Sequence, residues 1–170
     1  MAPVPVSLDV RTVVVLFHHE RLLLLQRAAW KKFAPGRWTG LGGKVESHEL
    51  GDLVSAARRE MFEETDLRPD EVSPLQVRRL LLFHHPIEQA VSLVYVTGTT
   101  TSDRLPSCNE GTLSWIEPED LASLDLIENT ARVLPLLIQD ARTGDQRIHC
   151  GVAEYDEVGR LLDVKFAPWT

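Results

Sequence analysis

Three glutamates, Glu60, Glu63 and Glu64, stand at i, i+3 and i+4 of a segment patterned as a helix. Leu53, Val54, Ala57 and Met61 recur at helical spacing as its apolar face, and Asp52 is placed to cap a helix running to about Thr65. The spacing projects all three carboxylates from one side, where like charges repel and weaken a bare helix. Arg59, one turn before Glu63, pairs with it at most as one cation against three anions. A group of hard oxygen donors is what Mg²⁺ or Mn²⁺ prefers. A solvated acidic face is the plainer alternative, and the hexapeptide Arg59–Glu64 by itself leaves both open.

The acid is concentrated there. From Glu46 to Asp66 the chain carries seven acids and two bases, a net −5 out of −7 for all 170 residues. A net negative chain disfavours binding to a nucleic-acid polymer, but a bound cation reverses the sign locally, so small anionic ligands are compatible with it. With 44% hydrophobic and 25% charged residues, the composition is that of one folded domain spanning 1–170. Cys108 and Cys150 are too few for a disulfide framework, which points to a reducing, cytoplasmic setting. The longest apolar runs, Val13–Phe17 and Leu22–Leu25, are far short of a membrane span, and Met1 to Asp9 lacks the pattern of a signal peptide.

Thr12–Phe17 and Leu22–Gln26 read as a hairpin across His18–Arg21. Lys31–Gly43 reads as a loop, rich in Gly and Pro. Val77–Phe83, Ala90–Thr97 and Leu113–Ile116 read as strands, and Gly98–Thr112 as irregular chain. Pro118–Ala122 starts a brief helix. Asn129–Ala141 reads as a longer one in which Pro135 imposes a kink or a late start. Arg147–Tyr155 and Arg160–Phe166 form a closing hairpin. The mixture predicts an α+β fold, a sandwich around a mixed sheet. The pairs His18-His19 and His84-His85 lack a zinc spacing to cysteine and read as strand-end polar residues.

Just before the acidic helix lies Trp38-Thr39-Gly40-Leu41-Gly42-Gly43-Lys44-Val45-Glu46. Glycines let a backbone carbonyl approach a metal or phosphate, and Lys44 is placed to hold a phosphate oxygen. Gly43, then five residues, then Glu49, with Arg59-Glu60-Met61, Glu63-Glu64 and Leu67 following, resembles the signature of the Nudix family. Two departures stand out. Nine residues rather than seven separate Glu49 from Arg59, which reads as a loop insertion, and Asp66 replaces a glycine where a left-handed helix end is expected. Phe33-Ala34-Pro35-Gly36-Arg37-Trp38 is similar to the MutT-type branch, and similarity extends over about residues 10–166.

The resemblance implies an α/β/α sandwich with a mixed central sheet and a hydrolase of nucleoside diphosphates linked to another group. It implies Mg²⁺, with Mn²⁺ as an alternative, held by Glu60, Glu63, Glu64 and the Gly43 carbonyl. It further implies that Glu60 orients or deprotonates the attacking water, Arg59 orients the carboxylates, and Glu110 is a second metal-binding or base glutamate. Glu128-Asn129 lies where oxidised-purine hydrolases of this branch recognise the base, and Thr39 stands where they carry a purine-contacting asparagine. A small nucleotide such as 8-oxo-dGTP is the expected partner. Dinucleoside polyphosphates, nucleotide sugars and pyrimidine triphosphates are alternatives, as is a non-catalytic nucleotide sensor; the intact glutamates favour an enzyme.

Overall fold

A computed structural model describes residues 7–84 and 90–168; His85 lies outside them, as does the start of the N-terminal segment. The central strands are β1 (Leu8–His18), β2 (Arg21–Arg27), β4 (Gln76–His84) and β5 (Ala90–Thr99). Shorter or later strands are β3 (Trp38–Thr39), β6 (Gly111–Ile116), β7 (His149–Tyr155) and β8 (Leu161–Pro168). They form one mixed sheet in the order β3-β2-β1-β5-β4-β7-β8, with β6 paired to β2. The pairs β1·β5 and β4·β7 are parallel and the others antiparallel.

The uninterrupted apolar runs of β1 and β2 follow from burial on both faces. Val14, Leu16, Leu23 and Leu25 point toward helix α1 (Leu53–Glu64), joined by Ala56, Ala57 and Met61. Val13, Val15, Phe17, Leu22 and Leu24 point the other way, toward Val133, Leu134, Leu137 and Ile138 of helix α2 (Glu128–Thr143). Period-2 alternation therefore divides one strand between two cores. Each fully buried Leu or Val contributes about 1.5–3 kcal/mol of transfer free energy.

The expected helix α1 starts as its cap requires: Asp52 Oδ1 accepts the Ser55 N–H at 3.0 Å. It ends differently from expectation. Thr65, in extended conformation at φ −130°, sends both its N–H and its hydroxyl to the Met61 carbonyl. The left-handed end expected at Asp66 is absent; His19 and Ala34 are the non-glycine residues with positive φ among those described. The Asp66 carboxylate instead pairs with Arg104 at 3.1 Å and accepts the Ser107 N–H at 2.8 Å. Helix α2 is continuous from Glu128 to Thr143 with Pro135 inside it, so there is no late start. Pro135 sits on the exposed side, and the buried face together with an Arg79–Asp140 ion pair outweighs the roughly 3 kcal/mol cost of an internal proline. The brief helix is a 3₁₀ segment, Pro118–Ser123.

The largest departure concerns Lys31–Gly43, whose second half is not free loop. β3 pairs with β2, and the glycine-rich strap lies along β1. Val14 and Leu41 exchange both backbone hydrogen bonds, Thr12 N–H donates to the Gly43 carbonyl at 2.9 Å, and Val45 N–H donates to the Val10 carbonyl at 2.8 Å. The strap thus brings Gly42 and Gly43 over α1.

Candidate active site

Arg59 organises the acidic helix. Its Nε and Nη2 form a two-pronged bond to Glu49 at 2.7 and 2.8 Å. Nη1 donates to Glu60 Oε1 and Glu63 Oε2, both at 2.9 Å, and Nη2 also reaches the Lys44 carbonyl at 3.1 Å. The two inserted residues before the helix therefore leave the Glu49–Arg59 contact intact. Arg59 holds the Glu49 carboxyl down at about 2, with help from the Glu46 N–H. Glu49 in turn contributes most to raising the pKa of Arg59.

Glu64 is held from the other side. Its Oε2 accepts the Gly42 N–H at 3.0 Å. Burial pushes its carboxyl up to about 7, reinforced by the charge of Glu60 and opposed by the Gly42 N–H, Lys31 and Arg27. Glycine is required at position 42, and at position 43 a side chain would push the Glu60 carboxylate aside. At Gly42, φ is +120° and a Cβ would lie 2.9 Å from Thr12 Oγ1; at Gly43, a Cβ would lie 2.7 Å from the Glu60 carboxyl carbon.

A pattern emerges from these contacts. Glu60, Glu63 and Glu64 each have one oxygen tied by Arg59 or Gly42, and the second oxygen has no hydrogen-bond partner among the described residues. The Gly43 carbonyl beside them accepts the Thr12 N–H at 2.9 Å and, in a longer contact of 3.5 Å, the Thr12 hydroxyl. Lys44 is exposed, and its ammonium has no ion pair among the described residues.

Glu110 precedes β6 and forms an ion pair with Lys31. Its own segment is stitched to the end of α1: Asn109 N–H donates to the Glu64 carbonyl at 3.0 Å and Asn109 Nδ2 to the Glu63 carbonyl at 3.2 Å. The base-reading candidates lie on the α2 side. Thr39, 9% exposed, has its hydroxyl 3.3 Å from that of Thr130. Asn129, 6% exposed, accepts the Tyr155 hydroxyl through Oδ1 at 2.8 Å, and its amide nitrogen has no partner among the described residues. The Tyr95 hydroxyl is buried beside Thr130; burial raises its pKa, and the Thr130 hydroxyl opposes that rise. Glu128 differs from Asn129: it is exposed and pairs through Oε1 with Arg37 at 3.0 Å.

The family model described as "NUDIX domain" matches residues 8–137. The chain belongs to the Nudix family. It is 28% identical over 154 residues to the mouse oxidized purine nucleoside triphosphate hydrolase, covering 89% of each chain. In structure it resembles a MutT protein from Bacillus halodurans, with TM-score 0.66 and 19% identity over 93% of this chain and 97% of that one. It also resembles the MutT protein of Methanosarcina mazei Go1, with TM-score 0.64 and 18% identity over 82% and 99% of the two chains. The mixed sheet between helices is thus the fold of these neighbours, and the chain is a Nudix hydrolase of MutT-like type.

Nudix enzymes generally use a divalent metal, and the donor set on α1 fits one: hard carboxylate oxygens with open valences, beside the Gly43 carbonyl. A second acidic group brings three ligand atoms within 4.8 Å of one another, at Asp140, Asp145 and His149. It does not fit a cation. Both Asp140 oxygens accept from Arg79, and both Asp145 oxygens accept from Arg147, with His149 also on Oδ2.

Two site residues escaped the sequence reading. Arg27, at the end of β2, donates Nε to the Phe33 carbonyl and is held below its usual pKa by burial, while its charge acts on Glu64. Lys31 is the partner of Glu110. The available signal was a cation ending an apolar strand, directly before the glycine-rich segment.

Proposed function

We propose that this Nudix hydrolase cleaves a phosphoanhydride bond of purine nucleoside triphosphates, with oxidised purines such as 8-oxo-dGTP as the favoured class, and that it works with Mg²⁺ or Mn²⁺. The observation that carries the reading is the trio of carboxylates, each with one oxygen tied and one open. Glu60, Glu63, Glu64 and the Gly43 carbonyl are the residues to hold the cation. When bound, it would acidify water and offset the charge between a polyanionic substrate and an acidic helix.

The chain's own groups supply the rest. Arg59 fixes the Glu60 and Glu63 carboxylates, and the Gly42 N–H fixes Glu64, so that one oxygen of each is held before the reaction begins. Glu60, oriented by Arg59 and packed against Gly43, positions the attacking water and receives its proton. Glu110 is a second candidate for that proton. Lys44 and Arg27 are the cations for phosphate oxygens. At the base, an 8-oxo purine adds a carbonyl and an N–H at the imidazole edge. The open amide N–H of Asn129 suits the carbonyl, and the free oxygen of Glu128 suits an N–H donor. Thr39, part of the same buried polar floor, contacts the ring through a short hydroxyl. The name of the mouse relative supports the same substrate class.

The test is kcat/KM for 8-oxo-dGTP, dGTP and CTP. Wild type should prefer them in that order. Glu128→Ala should cut the 8-oxo-dGTP to CTP ratio about tenfold, the scale of a hydrogen bond to a charged group. A wild type that ignores purines, or a variant in which all three fall equally, contradicts the base assignment.

A further inference from the structure

Lys31 sits between two anionic demands. Its ammonium is ion-paired with Glu110, and both side chains are largely covered, at 19% and 24% exposure. It also lies 4.6 Å from the centre of the Trp30 ring, which steadies the cation over the indole face. Glu110 is pinned by its backbone, because its carbonyl accepts the Ala28 N–H at 2.9 Å and its N–H meets Cys108 Sγ at 3.4 Å. The next residue, Gly111, has φ +159° and packs against the Gln26 carbonyl, so Glu110 has little backbone freedom. On the other side, Lys31 is close enough to Glu64 for its charge to favour that carboxylate, and a Thr65–Cys108 bridge joins the Glu110 segment to the end of α1.

Two carboxylate neighbourhoods and one ammonium make a competition. A polyphosphate docking on the acidic helix offers oxygens of higher charge density than Glu110. Lys31 has a long flexible stem and three donors, so it can change partner without moving the backbone.

We propose that Lys31 has two alternative partners, Glu110 in the free enzyme and the substrate's phosphates in the complex, so that substrate binding itself releases Glu110 toward the catalytic carboxylates. Lys31 is then a positioning residue as well as a phosphate contact. The free enzyme keeps Glu110 neutralised and away from water until phosphate arrives. The inference rests on the reading of Glu110 as a participant in the reaction, and on that of the α1 face as the phosphate site. It does not depend on the base.

The test uses inorganic tripolyphosphate, which carries phosphates without a base, titrated into the intact protein in excess Mg²⁺ at low ionic strength, since the cation offsets the charge between a polyphosphate and the acidic helix. The variants are Glu110→Gln, Lys31→Met and the double variant, each checked by its thermal melt. Glu110→Gln should bind tripolyphosphate about fivefold tighter, the scale of a partly exposed ion pair whose cation has been freed. Lys31→Met should bind about tenfold weaker. In the Lys31→Met background, Glu110→Gln should bring no tightening, which separates partner exchange from plain charge repulsion. In turnover with Mg²⁺, Glu110→Gln should lower KM and kcat together, and Lys31→Arg should recover most of the affinity lost in Lys31→Met. Equal tightening in both backgrounds, no tightening at all, or no Lys31-dependent binding overturns the exchange. An unchanged kcat in Glu110→Gln with the tightening intact leaves the exchange standing and removes Glu110 from the chemistry.

Discussion

Arg79 meets Asp140 on the α2 side of the sheet, one cation to one carboxylate, with both side chains under 10% exposed and three hydrogen bonds between them. Arg59, on the α1 side, is shared among Glu49, Glu60 and Glu63, and Glu64 stands beside them tied only to a backbone N–H. The first arrangement is closed: every charge is matched and every oxygen used. The second is open: anions outnumber the cation, and three oxygens are left without a partner. Proximity alone would rank them the other way, since Asp140, Asp145 and His149 are the tighter acidic cluster. Open valence, more than crowding of carboxylates, distinguishes a site from a structural brace.

The largest effect should come from the open side. Glu63→Gln keeps the shape and an acceptor for Arg59 but removes a negative donor, so kcat with saturating Mg²⁺ should fall about a thousandfold or more. Because it relieves like-charge repulsion on α1, its melting temperature should hold or rise. Turnover within threefold of wild type would remove Glu63 from the site. The closed side should behave in reverse. Asp140→Ala strands a buried guanidinium and should cost about 3–5 kcal/mol of unfolding free energy in urea, while kcat of the remaining folded enzyme stays near wild type. A variant that keeps its stability and loses turnover would reverse the comparison.

The difference also bears on what could be read in the sequence. The acidic helix was legible because its signal is local: i, i+3, i+4 carboxylates after a capping Asp52 and a glycine-rich segment. The two-sided core was legible in the unbroken apolar runs of β1 and β2. The strap over β1 was not, since turn-forming glycines at 40, 42 and 43 look like free loop until a partner strand claims their backbone. Nor was the end of α1, where Thr65 satisfies the Met61 carbonyl and Asp66 has Arg104 as a partner 38 residues away. The Lys31–Glu110 pair joins residues 79 apart, and no spacing rule reaches that far. The late start allowed at Pro135 did not occur, because propensity ignores the buried face that holds α2 together.

A smaller effect should appear in pH dependence. Glu64 titrates at about 7 in the folded, metal-free protein, against an ordinary value of 4.5. Its folded pKa is the higher one, so its contribution to stability is complete below 4.5 and is lost as pH rises to about 7. The metal-free melting temperature should therefore decline over that window, by less in Glu64→Gln than in wild type. Cation binding must displace the same proton, so Mg²⁺ affinity should be about tenfold weaker at pH 6 than at pH 8. Calorimetry at the two pH values checks both the sign and the proton released.

The most direct measurement is a Mn²⁺ titration followed by electron paramagnetic resonance on wild type, Glu64→Gln and Asp145→Asn, without nucleotide. Binding to the open carboxylates of α1 predicts a site in wild type that is lost or strongly weakened in Glu64→Gln and unchanged in Asp145→Asn. A site that survives Glu64→Gln and disappears in Asp145→Asn would contradict the account and move the metal to the closed cluster.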